Sequence, residues 1–220
     1  MVDELLSDDE REEALRQWWR ENWRWILAGI LVGIGMLVGW RYWQNHKVQR
    51  SEDAAQLYSD AQTALNDNDI GKAEAVLKQL ETEVDATAYT EQTQLLLAKA
   101  HVEAGEFAKA EPLLRTVADK SKDQELAKIA QLRLARLLVQ QGKHDEAVQL
   151  LQPLTTGGFS AQAHEIRGDA LVAKGDAQGA RAEYAAALAA TDAQLDRALV
   201  ELKLQDVGGT APAAKSQGQP

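Results

Sequence analysis

From Trp25 to Trp40 the chain carries no charged side chain, and the stretch Trp25 to Trp43 reads Trp-Ile-Leu-Ala-Gly-Ile-Leu-Val-Gly-Ile-Gly-Met-Leu-Val-Gly-Trp-Arg-Tyr-Trp. With its aromatic ends it reaches about the 20 residues that a helix needs to cross the hydrocarbon core of a bilayer. The large aliphatic residues between Ile26 and Val38 each favour insertion by about 0.3 to 0.6 kcal/mol, so the whole stretch favours the bilayer by a few kcal/mol. All six tryptophans lie at its two ends, Trp18, Trp19, Trp23 and Trp25 before it and Trp40 and Trp43 after, with Tyr42 beside them. Rings with one wet edge settle at headgroup level, so this is the pattern of an aromatic belt at both interfaces. No other part of the chain is apolar enough to surround such a helix as a buried core element. The expected structure is therefore a membrane span. Bulky aromatics and Arg41 follow the apolar run where a cleavable signal would place small residues, which predicts an uncleaved signal anchor.

Within the span, Gly29 and Gly33, then Gly35 and Gly39, repeat the G-x-x-x-G spacing that lets two helix backbones approach closely, and they are the candidates for packing against a partner helix in the membrane. Before it, Ser7 and Glu10 have the spacing of a capping box and predict a brief helix at, or entering, the interface. Arg11, Arg16, Arg20 and Arg24 precede the span and Arg41, Lys47 and Arg50 follow it, a balance that favours a cytoplasmic N-terminus by one residue. Between Trp43 and Asn66 there is neither Gly nor Pro, while small or apolar residues recur at helical spacing, so the membrane helix is expected to run on into the first helix of the downstream domain.

The chain beyond the span is long enough for one domain. With no cysteine in 220 residues, disulfides, thiolate catalysis and cysteine metal sites are all excluded. From Ser51 onward 17 Lys and Arg stand against 26 Asp and Glu, a net charge of −9 that repels nucleic acid.

This downstream part is repetitive. Aligned on Ala73, Ala110, Ala147 and Ala180, which are 37, 37 and 33 residues apart, four columns come into register. Twelve residues before each anchor is a small residue (Ala61, Ala98, Ala135, Gly168); five before is Asn68, Gly105, Gly142 or Gly175; four after is Leu77, Leu114, Leu151 or Tyr184. Glycine and asparagine accept the left-handed conformation that ends a helix, so the second column marks the turn between two antiparallel helices. The small residue and the alanine mark close helix crossings, and the large residue one turn later fills the space between units. This is the tetratricopeptide pattern, lengthened near Glu83 to Thr87 and Ser121 to Gln124.

Pro112 falls early in a second helix, where its missing N–H costs less, whereas Pro153 is expected to stop or kink the third unit's second helix near Gln152. A last helix over about Asp192 to Gln205, with Leu195, Leu199 and Leu202 on one side, is expected to cap the stack. The fold class is thus all-α: one transmembrane helix followed by a solenoid of about four helix pairs and a cap. The expected organisation is 1–24 an N-terminal segment, 25–43 the span, 44–206 the repeat domain and 207–220 a disordered tail of Gly, Ala, Pro, Ser and Gln.

Nothing in the sequence announces catalysis, a cofactor or a metal. His46, His101, His144 and His164 form no H-x-x-x-H or H-E-x-x-H pair, and no phosphate loop, G-x-S-x-G or dinucleotide fingerprint is present. An enzyme would need His101 or His164 beside carboxylates in a pocket. Stacked helix pairs instead curve, and their concave face binds peptides or helices. First helices line that face, which makes Leu57, Gln94, Gln131 and Arg133 the exposed partner-binding candidates.

The span ending Gly39-Trp40-Arg41-Tyr42-Trp43, the segment Leu132-Arg133-Leu134-Ala135-Arg136, and Arg167-Gly168-Asp169-Ala170-Leu171 followed by Lys174-Gly175-Asp176 and Gly179-Ala180-Arg181 resemble the YfgM family, ancillary subunits of the SecYEG translocon. The likeness runs from about Glu10 to Leu204. It implies a single-pass protein of the bacterial inner membrane, with its N-terminus in the cytoplasm and its repeat domain in the periplasm. It also implies association with the translocon and the periplasmic chaperone PpiD, and help to newly exported polypeptides. The competing expectation is an oligomeric scaffold for another envelope assembly, held together through the span glycines and the repeat stack.

Overall fold

The computed structural model describes residues 8–83, 88–190 and 195–210. All regular structure among them is helical: α1 (Asp8–Asn66), α2 (Ile70–Glu83), α3 (Ala88–Glu103), α4 (Phe107–Lys120), α5 (Gln124–Gln140), α6 (His144–Leu151), a single 3-10 turn (Gln152–Leu154), α7 (Ser160–Ala173), α8 (Ala177–Ala189) and α9 (Arg197–Asp206). By packing the chain divides into two units, 1–53 and 54–220.

The first unit holds the apolar run. Its helix is long and apolar enough to cross a membrane, and none of that run is buried within the protein. Trp18, Trp19, Trp23, Trp25, Trp40 and Trp43 are all exposed, and Trp40 and Trp43 stack at a tilt with centroids 5.6 Å apart. The run between Trp43 and Asn66 is helical throughout, as its lack of Gly and Pro allows. The segment before the span differs from expectation: rather than a separate short helix, it is the first part of α1. Ser7 of the expected capping box lies outside the described residues.

In the second unit the end of α1 pairs with α2, and then α3 with α4, α5 with α6 and α7 with α8, consecutive helices packing in order. The repeat columns explain why. Ala61, Ala98, Ala135, Ala73, Ala110, Ala147 and Ala180 are all buried, and Leu77, Leu114, Leu151 and Tyr184 sit beside them in the core. At the turns Asn68, Gly105, Gly142 and Gly175 have φ of 58°, 75°, 78° and 81°. Each closes its helix with the same two bonds: the Gly105 N–H donates to the Val102 carbonyl and the Glu106 N–H to the His101 carbonyl, and likewise at the other three. This paired closure satisfies carbonyls that a helix end otherwise leaves free. Asp123, Asp176 and Asp196 cap the starts of α5, α8 and α9 by accepting backbone N–H bonds.

The core is continuous from Leu95 to Ile166, with Leu134, Leu138 and Leu151 almost fully enclosed, and smaller clusters lie at either end. α6 ends at Leu151, where Pro153 prevents continuation. Of the extra residues at Ser121 to Gln124, the first three form the connection between α4 and α5 and Gln124 opens α5; those at 84–87 lie outside the described residues. Pro112 departs from expectation, since it stands in the second turn of α4, past the positions where an N–H is free anyway, and so removes one helical bond. The cap departs too. Although α9 packs on α8, its buried residues are Val200 and Leu204, whereas Leu199 and Leu202 face outward and only Leu195 of the expected trio touches the core. With Asp196 as N-cap, the helix is rotated so that the 200/204 row meets Tyr184 and Leu188. Val207 to Thr210 are described; the remainder of the expected tail, 211–220, and residues 191–194 before α9 are not.

Candidate protein-binding groove

Because α3 and α5 are the first helices of adjacent pairs and cross their partners through alanines, they approach each other over a furrow floored by small and aliphatic residues. Ala98, Val102, Leu114 and Leu137 form the apolar floor, and Lys99, Glu103, Arg133, Arg136 and Gln140 form the rim, around a cavity of about 310 Å³. A second cavity of about 530 Å³ lies between the end of α1 and α3, lined by Gln62, Leu65, Asn66, Asn68, Ile70 and Leu96 and sharing Lys99 and Glu103 with the first. The two cavities adjoin at Lys99 and Glu103, along the first helices of three successive pairs.

The rim is cationic in an acidic protein. Lys99 approaches Glu103 at 3.6 Å and Arg136 approaches Glu165 at 3.8 Å, both beyond hydrogen-bonding distance. Arg133 is exposed and has no ion pair among the described residues. Toward the C-terminal end the face becomes committed to structure. Lys203 of α9 bonds Glu165 at 2.8 Å and Asp169 at 2.9 Å, and Asp169 accepts the Tyr184 hydroxyl at 2.7 Å. Burial works against the charge on Lys203, but these two carboxylates hold its ammonium above its ordinary pKa; burial and the bond to Asp169 both push the Tyr184 hydroxyl well up.

Of the four partner-binding candidates from the sequence, only Arg133 lies on the rim. Gln94 is not exposed: it is 5% accessible and its side chain donates to Glu81 of α2 at 3.0 Å. Leu57 packs against Ala54, Ala61, Val76 and Leu80, and Gln131 is half-buried. Leu57, Gln94 and Gln131 share one repeat column, and none of them lines the groove: Leu57 and Gln94 both meet α2 instead. The column that does face it lies directly after the small residue: Gln62, Lys99, Arg136 and, in the fourth unit, Asp169. Its polar character at the 37-residue period was the usable signal.

Two of the histidines, His101 and His164, serve as ties between helices. Buried His101 has Nδ1 2.8 Å from Glu106 and Nε2 3.2 Å from Glu74, joining α3 to α4 and α2, and Lys109 completes the cluster at 3.1 Å from Glu106. The bonds from Lys109 and His101 hold the Glu106 carboxyl below the ordinary carboxylate range. His164 of α7 lies 2.6 Å from Glu183 of α8, which also accepts from Arg167. Among the described residues no group of His, Asp and Glu has metal-binding geometry. Around Gly29, Gly33, Gly35 and Gly39 the space that a Cβ would occupy is open.

Residues 16–209 match the model of the tetratricopeptide repeat-like domain. The chain is 32% identical over 182 residues to the ancillary SecYEG translocon subunit of Escherichia coli, covering 82% of this chain and 86% of that protein. Against the protein of the same name from Haemophilus influenzae it is 29% identical, and against that from Neisseria gonorrhoeae 24%, each time covering 92% of this chain and 98% of the relative. Such relatives are translocon subunits rather than enzymes, in keeping with a repeat fold whose prominent feature is a groove. By its matched domain and by these relatives over nearly its whole length, this chain belongs to the ancillary SecYEG translocon subunit family.

Proposed function

We propose that the protein is a membrane-tethered protein-binding module at the SecYEG translocon, anchored by the span in α1 with its N-terminus in the cytoplasm and its repeat domain in the periplasm. The observation that carries this reading is the pairing, in one chain, of an unburied apolar span with an open groove along the first helices of the repeats. The names of the relatives supply the translocon. Tethering raises the local concentration of the domain, so weak contacts in the groove suffice to hold the chaperone PpiD or an emerging exported chain and to pass one to the other. The open faces at Gly29, Gly33, Gly35 and Gly39 leave room for a translocon helix to approach in the membrane.

In vivo crosslinking from photoreactive residues at Arg133 and Gln140 on the groove rim, and at Gly33 and Gly39 in the span, tests this. Translocon subunits captured from the span and PpiD or exported chains captured from the domain are the expected products. Capture of the protein by itself alone would replace the proposal with an oligomeric scaffold. Protease access to the domain from the cytoplasmic side only would overturn the topology.

A further inference from the structure

The groove between α3 and α5 has an apolar floor and a rim with more positive than negative charge. Lys99, Arg133 and Arg136 stand around Ala98, Val102, Leu114 and Leu137, with Glu103 the one carboxylate in the lining. That sign is opposite to the chain's net charge of −10. A cationic patch on an acidic surface is not a by-product of composition, and here the charges are left underused. Arg133 has no ion pair among the described residues, and the carboxylates nearest Lys99 and Arg136 are 3.6 and 3.8 Å away. An exposed guanidinium presents a planar fork of donors that fits a carboxylate with two parallel bonds. At about 310 Å³ the cavity is at the small end of binding pockets, with room for an anchoring side chain rather than a folded surface.

From this juxtaposition we infer that the α3/α5 groove receives an acidic, amphipathic segment of a partner protein, a large apolar side chain entering the floor and a neighbouring carboxylate meeting Arg133. The inference rests on the reading of the protein as a binding module and specifies the chemistry of its ligand. The fourth unit explains where the segment stops. There the residue in the column of Lys99 and Arg136 is Asp169, already engaged by Tyr184 and Lys203, so the cationic rim is confined to the second and third units. At the other end the groove continues past Lys99 into the polar lining of Gln62, Asn66 and Asn68, which offers amide groups to a segment's backbone. Leucines anchor in the floor while glutamates on either side of them match the rim, and a basic segment is repelled.

The test uses the full chain in lipid nanodiscs and three fluorescein-labelled peptides: one with leucines flanked by glutamates, one with lysines in place of the glutamates, and one with alanines in place of the leucines. Fluorescence anisotropy should show the glutamate–leucine peptide binding at least about tenfold more tightly than either of the others, the size of one charge-assisted bond or one buried anchor. Arg133→Glu should lose about tenfold for the acidic peptide and gain for the lysine peptide, and Lys99→Glu should shift both in the same directions. Both residues are exposed, so an unchanged thermal unfolding midpoint shows the fold intact. Equal binding of the acidic and basic peptides, an unchanged affinity in Arg133→Glu, or no binding up to about 1 mM peptide overturns the inference. If any of these occurs while crosslinking at Arg133 still captures PpiD or an exported chain, the binding-module reading stands and only its chemistry is wrong; absence of capture removes that reading itself.

Discussion

In the second and third helix pairs the small residue at the crossing of the first helix is alanine, Ala98 and Ala135, and the large residue of the second helix is leucine, Leu114 and Leu151. In the fourth pair the same two positions hold Gly168 and Tyr184. A Cβ on Gly168 would collide with the Tyr184 ring, so the ring fills the space that an alanine methyl takes up elsewhere. The small member has become smaller as the large member grew, keeping the interior filled at native density. The tyrosine also brings a hydroxyl that needs a partner when buried, and Asp169 supplies it. That demand has a functional consequence. The column that is Lys99 and Arg136 on the rim of the groove in the second and third units becomes in the fourth a carboxylate tied to Tyr184 and to Lys203 of the capping helix. One exchange of core residues thus marks the end of the cationic rim and the start of the cap.

The comparison can be broken in several ways. Tyr184→Ala should cost the most, about 3 kcal/mol or more, through a large cavity beside Gly168 and loss of the Asp169 bond; Leu151→Ala, without the polar term, should cost about 2 to 5 kcal/mol, and urea unfolding of the full chain in detergent measures both. Gly168→Ala alone should cost about 1 to 3 kcal/mol by overpacking, yet Gly168→Ala combined with Tyr184→Leu, which restores the pairing of the other units, should be more stable than the sum of the two single changes predicts. Strict additivity would show that the two positions are not exchanging volume. At the turns, Gly105→Ala should cost about 1 to 2 kcal/mol because φ is 75°, whereas Asn68→Gly, at φ 58°, should change stability by less than about 0.5 kcal/mol, since asparagine already tolerates that region.

The smallest expected effect is a response to acid. Glu111, bonded to Lys143 at 2.8 Å and to Arg115 at 2.9 Å, and Glu106, bonded to Lys109 and His101, have carboxyls held below the ordinary value of 4.5. A carboxyl lowered by folding stabilises the fold above its unfolded pKa, and the contribution disappears as pH falls through the folded value. The thermal unfolding midpoint should therefore drop as pH falls below about 4.5, and drop less in Glu111→Gln. A midpoint indifferent to that substitution would show the ties to be without net weight, as exposed ion pairs often are.

Legibility in the sequence tracks what each feature depends on. The span needs only a run of apolar residues without charge, a property of consecutive side chains. The repeat columns need only similar residues recurring at intervals of 37, 37 and 33, and the chemistry of each column dictates its place: left-handed backbone at Asn68, Gly105, Gly142 and Gly175, close crossings at the alanines, a helix capped at Gln152 before Pro153. Which flank of a first helix stays open was not legible from polarity. A helix such as α3 packs against its own partner and against neighbouring units, so most of its circumference is covered, and Thr93, Gln94 and His101 are buried there while polar. The same blindness misplaced the apolar face of α9, where Leu199 and Leu202 look outward and Val200 and Leu204 do not.

By itself, then, the sequence determined an apolar span, four helix pairs with their turns, and an interaction fold rather than a catalytic one, because these depend on local chemistry repeated along the chain. The tertiary structure alone decided that Lys99, Arg133 and Arg136 share one groove while Gln94 bonds across to the second helix of the preceding pair and Asp169 serves the cap. Exposure belongs to the surface left over once neighbouring helices have docked, and the rotation at which each docks is set by packing volumes and buried bonds contributed by residues far apart in the chain.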